Sequence, residues 1–323
     1  MIDIINSFKD CNALVIGDSM LDTYLWGNVD RISPEAPVPI VSLNKRENRL
    51  GGAANVALNI KSLGAEVTLC CVTGNDQEAK VFNDLLKSNK IGTDAVVVDE
   101  SRITSVKNRI ISNNQHLIRI DNESTEELDE SITKQLLEKI ENVIQDVDVI
   151  VFQDYDKGMI SAKLIERSIS WAKEKNIPVV VDPKKNNFHN YKGASLFKPN
   201  LKELEEGLKI DVDKTNIDNI KDASDKLMAE LEVEAVMITL SELGIFVSDQ
   251  VGHNIIPTEA RKIVDVSGAG DTVISIAALC LATNQDLSST AKLANLAAGI
   301  VIESVGVVPI ETNELIKRIE HQQ

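Results

Sequence analysis

Short apolar runs recur along the chain, at 13–16, 67–72, 95–98, 147–152, 178–181, 195–197 and 236–239, each ending on glycine or a polar cluster. Runs of this length and continuity read as strands buried on both faces. Between them the apolar period lengthens to that of a helix. Leu128, Ile132, Leu136, Ile140 and Val143 form one stripe from Glu126 onward, and similar patterns cover 51–63, 77–88, 162–175 and 287–305. Gly64 marks the stop of the first of these. Strand and helix alternating in this way predict a parallel sheet with right-handed crossovers and helices on both faces. Residues 245–247 and the run after them read instead as a hairpin.

Two stretches break the rhythm. Residues 21–43 carry Tyr24, Trp26, Val29 and Ile32 and then three prolines within six residues, Pro34, Pro37 and Pro39. Proline spaced so densely forbids helix and disfavours a central strand, so the segment is expected as a ribbon outside the main sheet. Residues 102–121 alternate about a polar turn, Ser112-Asn113-Asn114, and predict a hairpin with Lys107 and Arg109 on one face. The two inserts, about 19–46 and 102–121, are expected to form one small β lid. Apolar side chains on such a ribbon need a cover, either a ligand or a second subunit, so a homodimer through the lid is expected.

Composition narrows the class. A chain of 323 residues, 43% hydrophobic and 26% charged, can bury a sizeable core, and no linker suggests a boundary, so one domain spanning 1–323 is expected. The net charge of −16 repels nucleic acid and anionic membranes. Cys11, Cys70, Cys71 and Cys280 lack metal-ligand spacing and read as reduced thiols, which fits a cytoplasmic setting. The first ten residues lack the apolar centre of a signal peptide, and no run approaches 18 apolar residues.

Candidate chemistry gathers where the strands end. Asp18 follows the first, Asp154-Tyr155-Asp156-Lys157-Gly158 a middle one, then Asp182-Pro183-Lys184, and Thr239 to Gly244 a later one. The most pointed stretch is Asp265-Val266-Ser267-Gly268-Ala269-Gly270-Asp271-Thr272, opening an apolar helix. Glycines there expose unpaired N–H groups at the positive end of the helix dipole, where a phosphate is well held. Asp271 cannot attract that phosphate, so it would face the other reactant, a hydroxyl, and take its proton. A plain helix cap also explains it. Gly51, Gly52 and Asn55 could admit and bind a polyol, or serve close packing. Asn200 and Glu203, three apart, form either a binding pair or a capping box. Asn295 lies on an alanine-rich helix face able to receive a flat group or another helix.

Gly51-Gly52-Ala53-Ala54-Asn55, Asp182-Pro183, Pro199-Asn200-Leu201-Lys202-Glu203 and Asp265 to Asp271 occur in the order and spacing of ribokinase-like (PfkB) sugar kinases, and the chain resembles that family over nearly its whole length. Met20 to Thr23 with Tyr24, Arg31 to Pro39, and Asp154 to Gly158 look more narrowly like bacterial heptose 7-phosphate kinases. The resemblance implies a three-layer α/β/α sandwich with a mostly parallel sheet and a β lid, ATP and Mg²⁺, and γ-phosphoryl transfer to a sugar hydroxyl. It implies Asp271 as base with Gly268, Ala269 and Gly270 as anion hole. Asp18, Gly51, Gly52, Asn55, Lys107, Arg109, Asp154 and Lys157 would serve the sugar phosphate. Lys184, Asn200, Thr239, Ser241, Gly244 and Asn295 would serve the nucleotide, and Glu203 would act on Mg²⁺ through water. The narrower likeness implies D-glycero-β-D-manno-heptose 7-phosphate as substrate, its 1,7-bisphosphate as product, and a place in lipopolysaccharide core synthesis. Glu303 and Val307 depart from the family's usual Lys and Thr. No His-x-Gly-His occurs, so adenylylation is expected of another protein. Another sugar or nucleoside kinase of the family and a non-catalytic sugar-phosphate sensor are the rival readings.

Overall fold

A computed structural model describes residues 1–113, 115–258 and 262–321. The strands are β1 (Asn12–Gly17), β2 (Ser19–Ile32), β3 (Pro39–Gly52), β4 (Glu66–Thr73), β5 (Val96–Val98), β6 (Val106–Ser112), β7 (Gln115–Asn122), β8 (Val149–Gln153), β9 (Val179–Asp182), β10 (Leu196–Phe197), β11 (Ala235–Thr239), β12 (Ile245–Asp249) and β13 (His253–Ile256). The helices are α1 (Ile2–Ser7), α2 (Ala53–Ser62), α3 (Gln77–Ser88), α4 (Glu130–Val143), α5 (Ala162–Lys175), α6 (Leu201–Leu208), α7 (Ile217–Leu231), α8 (Ala269–Ala282), α9 (Leu287–Val301) and α10 (Thr312–Glu320).

Nine strands form the main sheet in the order β13-β12-β11-β10-β9-β8-β1-β4-β5. It is parallel from β11 to β5, and β12 and β13 add an antiparallel edge. Alternate residues feed opposite cores. Ala13, Val15, Val149 and Val151 join the layer with α2, α8 and α9, whereas Leu14, Ile16, Ile150 and Phe152 join the layer with α4, α5 and α7. The expected three-layer sandwich is therefore present, and burial on both faces explains why these strands read as unbroken apolar runs. All four cysteines are buried free thiols.

The lid is a second sheet of four strands, β3-β2-β6-β7. Its middle pair, β2 with β6, is parallel, a long-range pairing between the two inserts. The bounds differ from the expected 19–46 and 102–121: β3 runs on to Gly52, and β6 with β7 spans Val106 to Asn122. Ordinary strand pairing of Ser19 with Gly52 carries the ribbon down to the main sheet. Of the expected hairpin turn, Asn113 is left-handed (φ 51°) and Asn114 lies outside the described residues. Helix α4 begins at Glu130 rather than near Glu126, and α9 stops at Val301 rather than 305.

Candidate active site

The first three main-sheet strands proceed one way from β1, and β8 starts the return on its other side. Ligands of open parallel sheets bind at such a switch, beyond the strands' C-terminal ends. Gly17 and Asp18 stand at the end of β1, Gln153 to Tyr155 at β8, Asp182 at β9, and Lys198 just after β10. Helix α8 points its N-terminus at the same place: a Cβ built on Gly270 would lie 3.9 Å from both Asp182 Oδ2 and Lys198 Nζ. Gly268 caps it at φ 82°, a backbone state that glycine alone adopts freely. The first-turn amides have no acceptor within the helix and face this cluster as a positive pole.

Asp271 sits in the first turn, 4% exposed. Asn55 Nδ2 donates to its Oδ2 at 2.7 Å, and the Tyr155 hydroxyl and Gln153 Nε2 donate to Oδ1 at 2.9 and 3.3 Å. Burial foremost pushes its pKa up to about 7; the charge of Asp182 adds to this, while the Asn55 and Tyr155 hydrogen bonds and Lys198 oppose it. A carboxylate with that affinity for a proton, held in orientation by three donors, is suited to general base work near neutral pH.

Asp182 pairs with buried Lys198 at 3.1 Å, and Gln153 Nε2 bridges to it at 3.2 Å. Nearby, Asn200 and Glu203 form the capping box of α6, with Asn200 N–H donating to Glu203 Oε2 at 2.8 Å and Glu203 N–H to Asn200 Oδ1 at 2.9 Å. The other Glu203 oxygen pairs with Lys184. Among the described residues no cluster of three or more His, Cys, Asp or Glu could hold a metal unaided. Mg²⁺ asks for less, one or two carboxylates with phosphate oxygens and water. Asp182 and Glu203 are close enough to act on each other, and the Lys184 ammonium is drawn to both, standing where cationic charge is favoured. The donor set fits a phosphate-bound divalent ion.

A family profile described as pfkB family carbohydrate kinase matches residues 11–313. The chain belongs to the pfkB family of carbohydrate kinases. It is thus a phosphotransferase with a sugar hydroxyl as acceptor, in a family that uses ATP and a divalent metal. The bifunctional protein HldE of Syntrophotalea carbinolica is 39% identical over 99% of this chain and 65% of its own length. The protein of the same name from Sulfurimonas denitrificans is 40% identical over 97% of the chain and 65% of its own. The chain thus spans about two thirds of these relatives. Phosphofructokinase-2 from Escherichia coli, solved with substrates and products, superposes with a TM-score of 0.81 at 18% identity, covering 96% of this chain and 99% of that one. Ribokinase from Thermotoga maritima gives 0.72 at 19%, covering 96% and 99%. Both likenesses concern the fold.

Several site candidates of this pfkB kinase are occupied differently from the expectation. Asp18 is engaged within the chain: its carboxylate accepts the N–H groups of Tyr155, Lys157 and Met159 and builds the turn after β8. Burial and the Asp154 charge raise its pKa to about 6 against those three bonds. Asp154 is consumed likewise, accepting from Asp156 N–H, Asn187 and the Tyr191 hydroxyl. Lys157 pairs with Glu123, just beyond β7 of the lid, at 2.5 Å. Gly51 and Gly52 belong to β3, not to the helix, and the space a Cβ would take is filled by the Asp22 carboxylate and the Asp18 carbonyl rather than left to a ligand. Lys107 binds Asp121 and Glu123 at 3.0 and 3.1 Å, and Arg109 binds buried Asp22. Thr239 ends β11, Ser241 (φ 54°) and Gly244 (φ 99°) shape the tight turn after it, and Asn295 donates to Pro257 O at 2.9 Å.

Gln153, Tyr155, Asp182 and Lys198 received no assigned role from the sequence, although the structure gathers them about Asp271. The available signal was their position at strand ends.

Proposed function

We propose that this chain transfers the γ-phosphoryl of ATP to the 1-hydroxyl of D-glycero-β-D-manno-heptose 7-phosphate, giving the 1,7-bisphosphate. The observation that carries the chemistry is buried Asp271, with a pKa of about 7, at the amide pole of α8. The sugar assignment leans on the Tyr24, Arg31 to Pro39 and Asp154 to Gly158 motifs and on 39% identity to a bifunctional HldE protein.

Asp271 takes the proton of the attacking hydroxyl while Asn55 and Tyr155 hold its carboxylate in line. The amides of Gly268, Ala269 and Gly270 receive charge on the transferring group, and positioning with electrostatics supplies most of the rate. Mg²⁺, when bound through Glu203 and its waters, neutralises phosphate charge. Lys184, Asn200, Thr239, Ser241, Gly244 and Asn295 border the nucleotide side. Lys107 and Arg109 receive the sugar's phosphate, which must draw them from Asp121, Glu123 and Asp22.

The residues given act as one kinase domain, with the cytoplasm as its proposed setting; no helix among the described residues is long and apolar enough to cross a membrane. Exposed Ile32, Leu43, Ile118 and Ile120 on the lid favour a homodimer. ADP release measured over a panel of sugars and sugar phosphates tests the reading: fastest turnover on the heptose 7-phosphate is expected. Higher kcat/KM on ribose, fructose phosphate or adenosine would transfer the chain to another acceptor. No turnover, with ligand-induced thermal stabilisation, would make it a sensor.

A further inference from the structure

Lid and phosphoryl-transfer turn meet at one strap of chain, residues 302–307, and the contacts are unusually specific. Arg49 on β3 sends one guanidinium nitrogen to two carbonyls, Val305 O at 3.1 Å and Val307 O at 2.9 Å. Its planar fork stacks on the ring of Tyr24, 4.7 Å from the centroid. Tyr24, on β2, is fully buried, and its hydroxyl accepts Val307 N–H at 2.9 Å. Gly306, at φ 73°, lies so close that a Cβ there would come within 2.6 Å of the Tyr24 ring. The strap is therefore clasped from the lid side by hydrogen bonds at 305 and 307 and by the ring at 306.

Its other side is the chemical centre. Gly306 N–H donates to Asp265 Oδ2 at 2.9 Å, and Asp265 Oδ1 accepts Ser267 N–H at 2.9 Å, fixing the turn into α8. Val264 and Asp265 N–H both donate to Ile302 O. Val307 Cγ1 would be 3.4 Å from a Cβ on Gly268. On the lid's outer hairpin, His116 Nε2 reaches Asp265 Oδ2 at 3.4 Å. A movement of the lid strands thus pulls on the backbone that aims the anion-hole amides, through contacts that are contiguous at every step.

We propose that Arg49 and Tyr24 are positioning residues that couple lid and phosphoryl-transfer turn through this strap, so that acceptor and nucleotide reinforce each other's binding. The inference rests on the kinase chemistry and is independent of which sugar is used. Reciprocity requires that nucleotide alone also reach the lid.

Amide hydrogen exchange of wild type and Arg49→Met, with and without a saturating non-hydrolysable ATP analogue, reads this without any sugar. Met keeps an apolar stem over Tyr24 and removes the donors. In wild type the analogue slows exchange over residues 20–26 and 45–50 by about 5-fold or more, within the usual range of coupling factors. In Arg49→Met the lid response is lost while slowing around 268–272 remains. An unresponsive wild-type lid, or an equal response in the variant, overturns the proposal. Should Arg49→Met fail to fold, Tyr24→Phe, which keeps the ring and removes the acceptor for Val307 N–H, must weaken the same response. A two-substrate velocity matrix with the best acceptor gives a second readout: saturating one substrate lowers the KM of the other in wild type and not in Arg49→Met. A merely structural role would lower activity and leave that dependence intact. Failure of the heptose assignment changes the acceptor in the matrix and leaves the exchange result standing.

Discussion

The catalytic centre and the lid handle charge in opposite ways. At the switch point carboxylates are buried near one another and held short of full compensation, so that Asp271 has a pKa of about 7. On the lid, Lys107 is matched by Asp121 and Glu123 and Arg109 by Asp22, and Lys157, in the turn after β8, is matched by Glu123. The centre stores a proton affinity of the kind a general base near neutral pH needs. The lid stores ion pairs that an anionic ligand would have to exchange, and under the proposed function that exchange would favour acceptors bearing a phosphate over neutral ones.

Breaking the centre should have the largest effect. Asp271→Asn is expected to lower kcat by about 10²–10⁴-fold with a much smaller change in KM, measured as ADP release, the range general base catalysis supplies. A variant as active as wild type would remove Asp271 from its role. The same buried charge predicts a pH dependence. The rate should rise with pH through about 7 as Asp271 loses its proton, and Tyr155→Phe, by removing a donor to the carboxylate, should move that limb upward.

Stability runs the other way. Folding raises the Asp271 pKa from 3.8 to about 7, so between those values the folded chain holds more proton than the unfolded one. Its contribution is therefore fully present below the lower value and is lost as pH rises through the upper one. Thermal or urea unfolding should find Asp271→Asn gaining on wild type by roughly 1–3 kcal/mol between pH 4 and pH 8. A constant difference across that range would contradict the buried-charge account.

The lid effects are smaller. Lys107→Ala should raise KM for phosphorylated sugars by about 5–10-fold, the weight of one ordinary hydrogen bond because Lys107 gives up its ion pairs to make the contact, and leave unphosphorylated sugars nearly unchanged. Equal changes for both would detach Lys107 from phosphate recognition. Smallest of all for the protomer is Ile118→Asp. With Ile118 56% exposed, unfolding free energy should move by less than about 0.5 kcal/mol. The mass in solution should fall from dimer to monomer; a wild-type monomer at micromolar concentration would sink the lid dimer.

Much of this was legible in the chain because it depends on local rules. Unbroken apolar runs at 149–152 and 178–181 require two-sided burial, and glycines before Asp271 require a tight turn at a helix start. Asp18 shows where such rules stop. An acid at a strand end serves a ligand or a turn equally well, and the decision rested with three amides of residues 155–159, which meet it only when β8 lies beside β1. Gly51 and Gly52 pose the same question: whether a missing Cβ admits a ligand or a neighbouring oxygen depends on what packs there, here the Asp22 carboxylate and the Asp18 carbonyl. The capping box of Asn200 and Glu203, by contrast, is local and was among the alternatives read from the spacing.

Sequence by itself determined the alternating elements, the presence of two lid inserts, the family and the candidate base, since period, turn chemistry and motif order are properties of neighbours along the chain. The tertiary structure alone decided the company Asp271 keeps. Gln153 and Tyr155 lie more than a hundred residues away from it, and the strand order that brings β8 and β9 under α8 is set by the packing of whole layers. Burial, which lifts the carboxylate's pKa, is likewise a property of the assembled core and is written in no single stretch of residues.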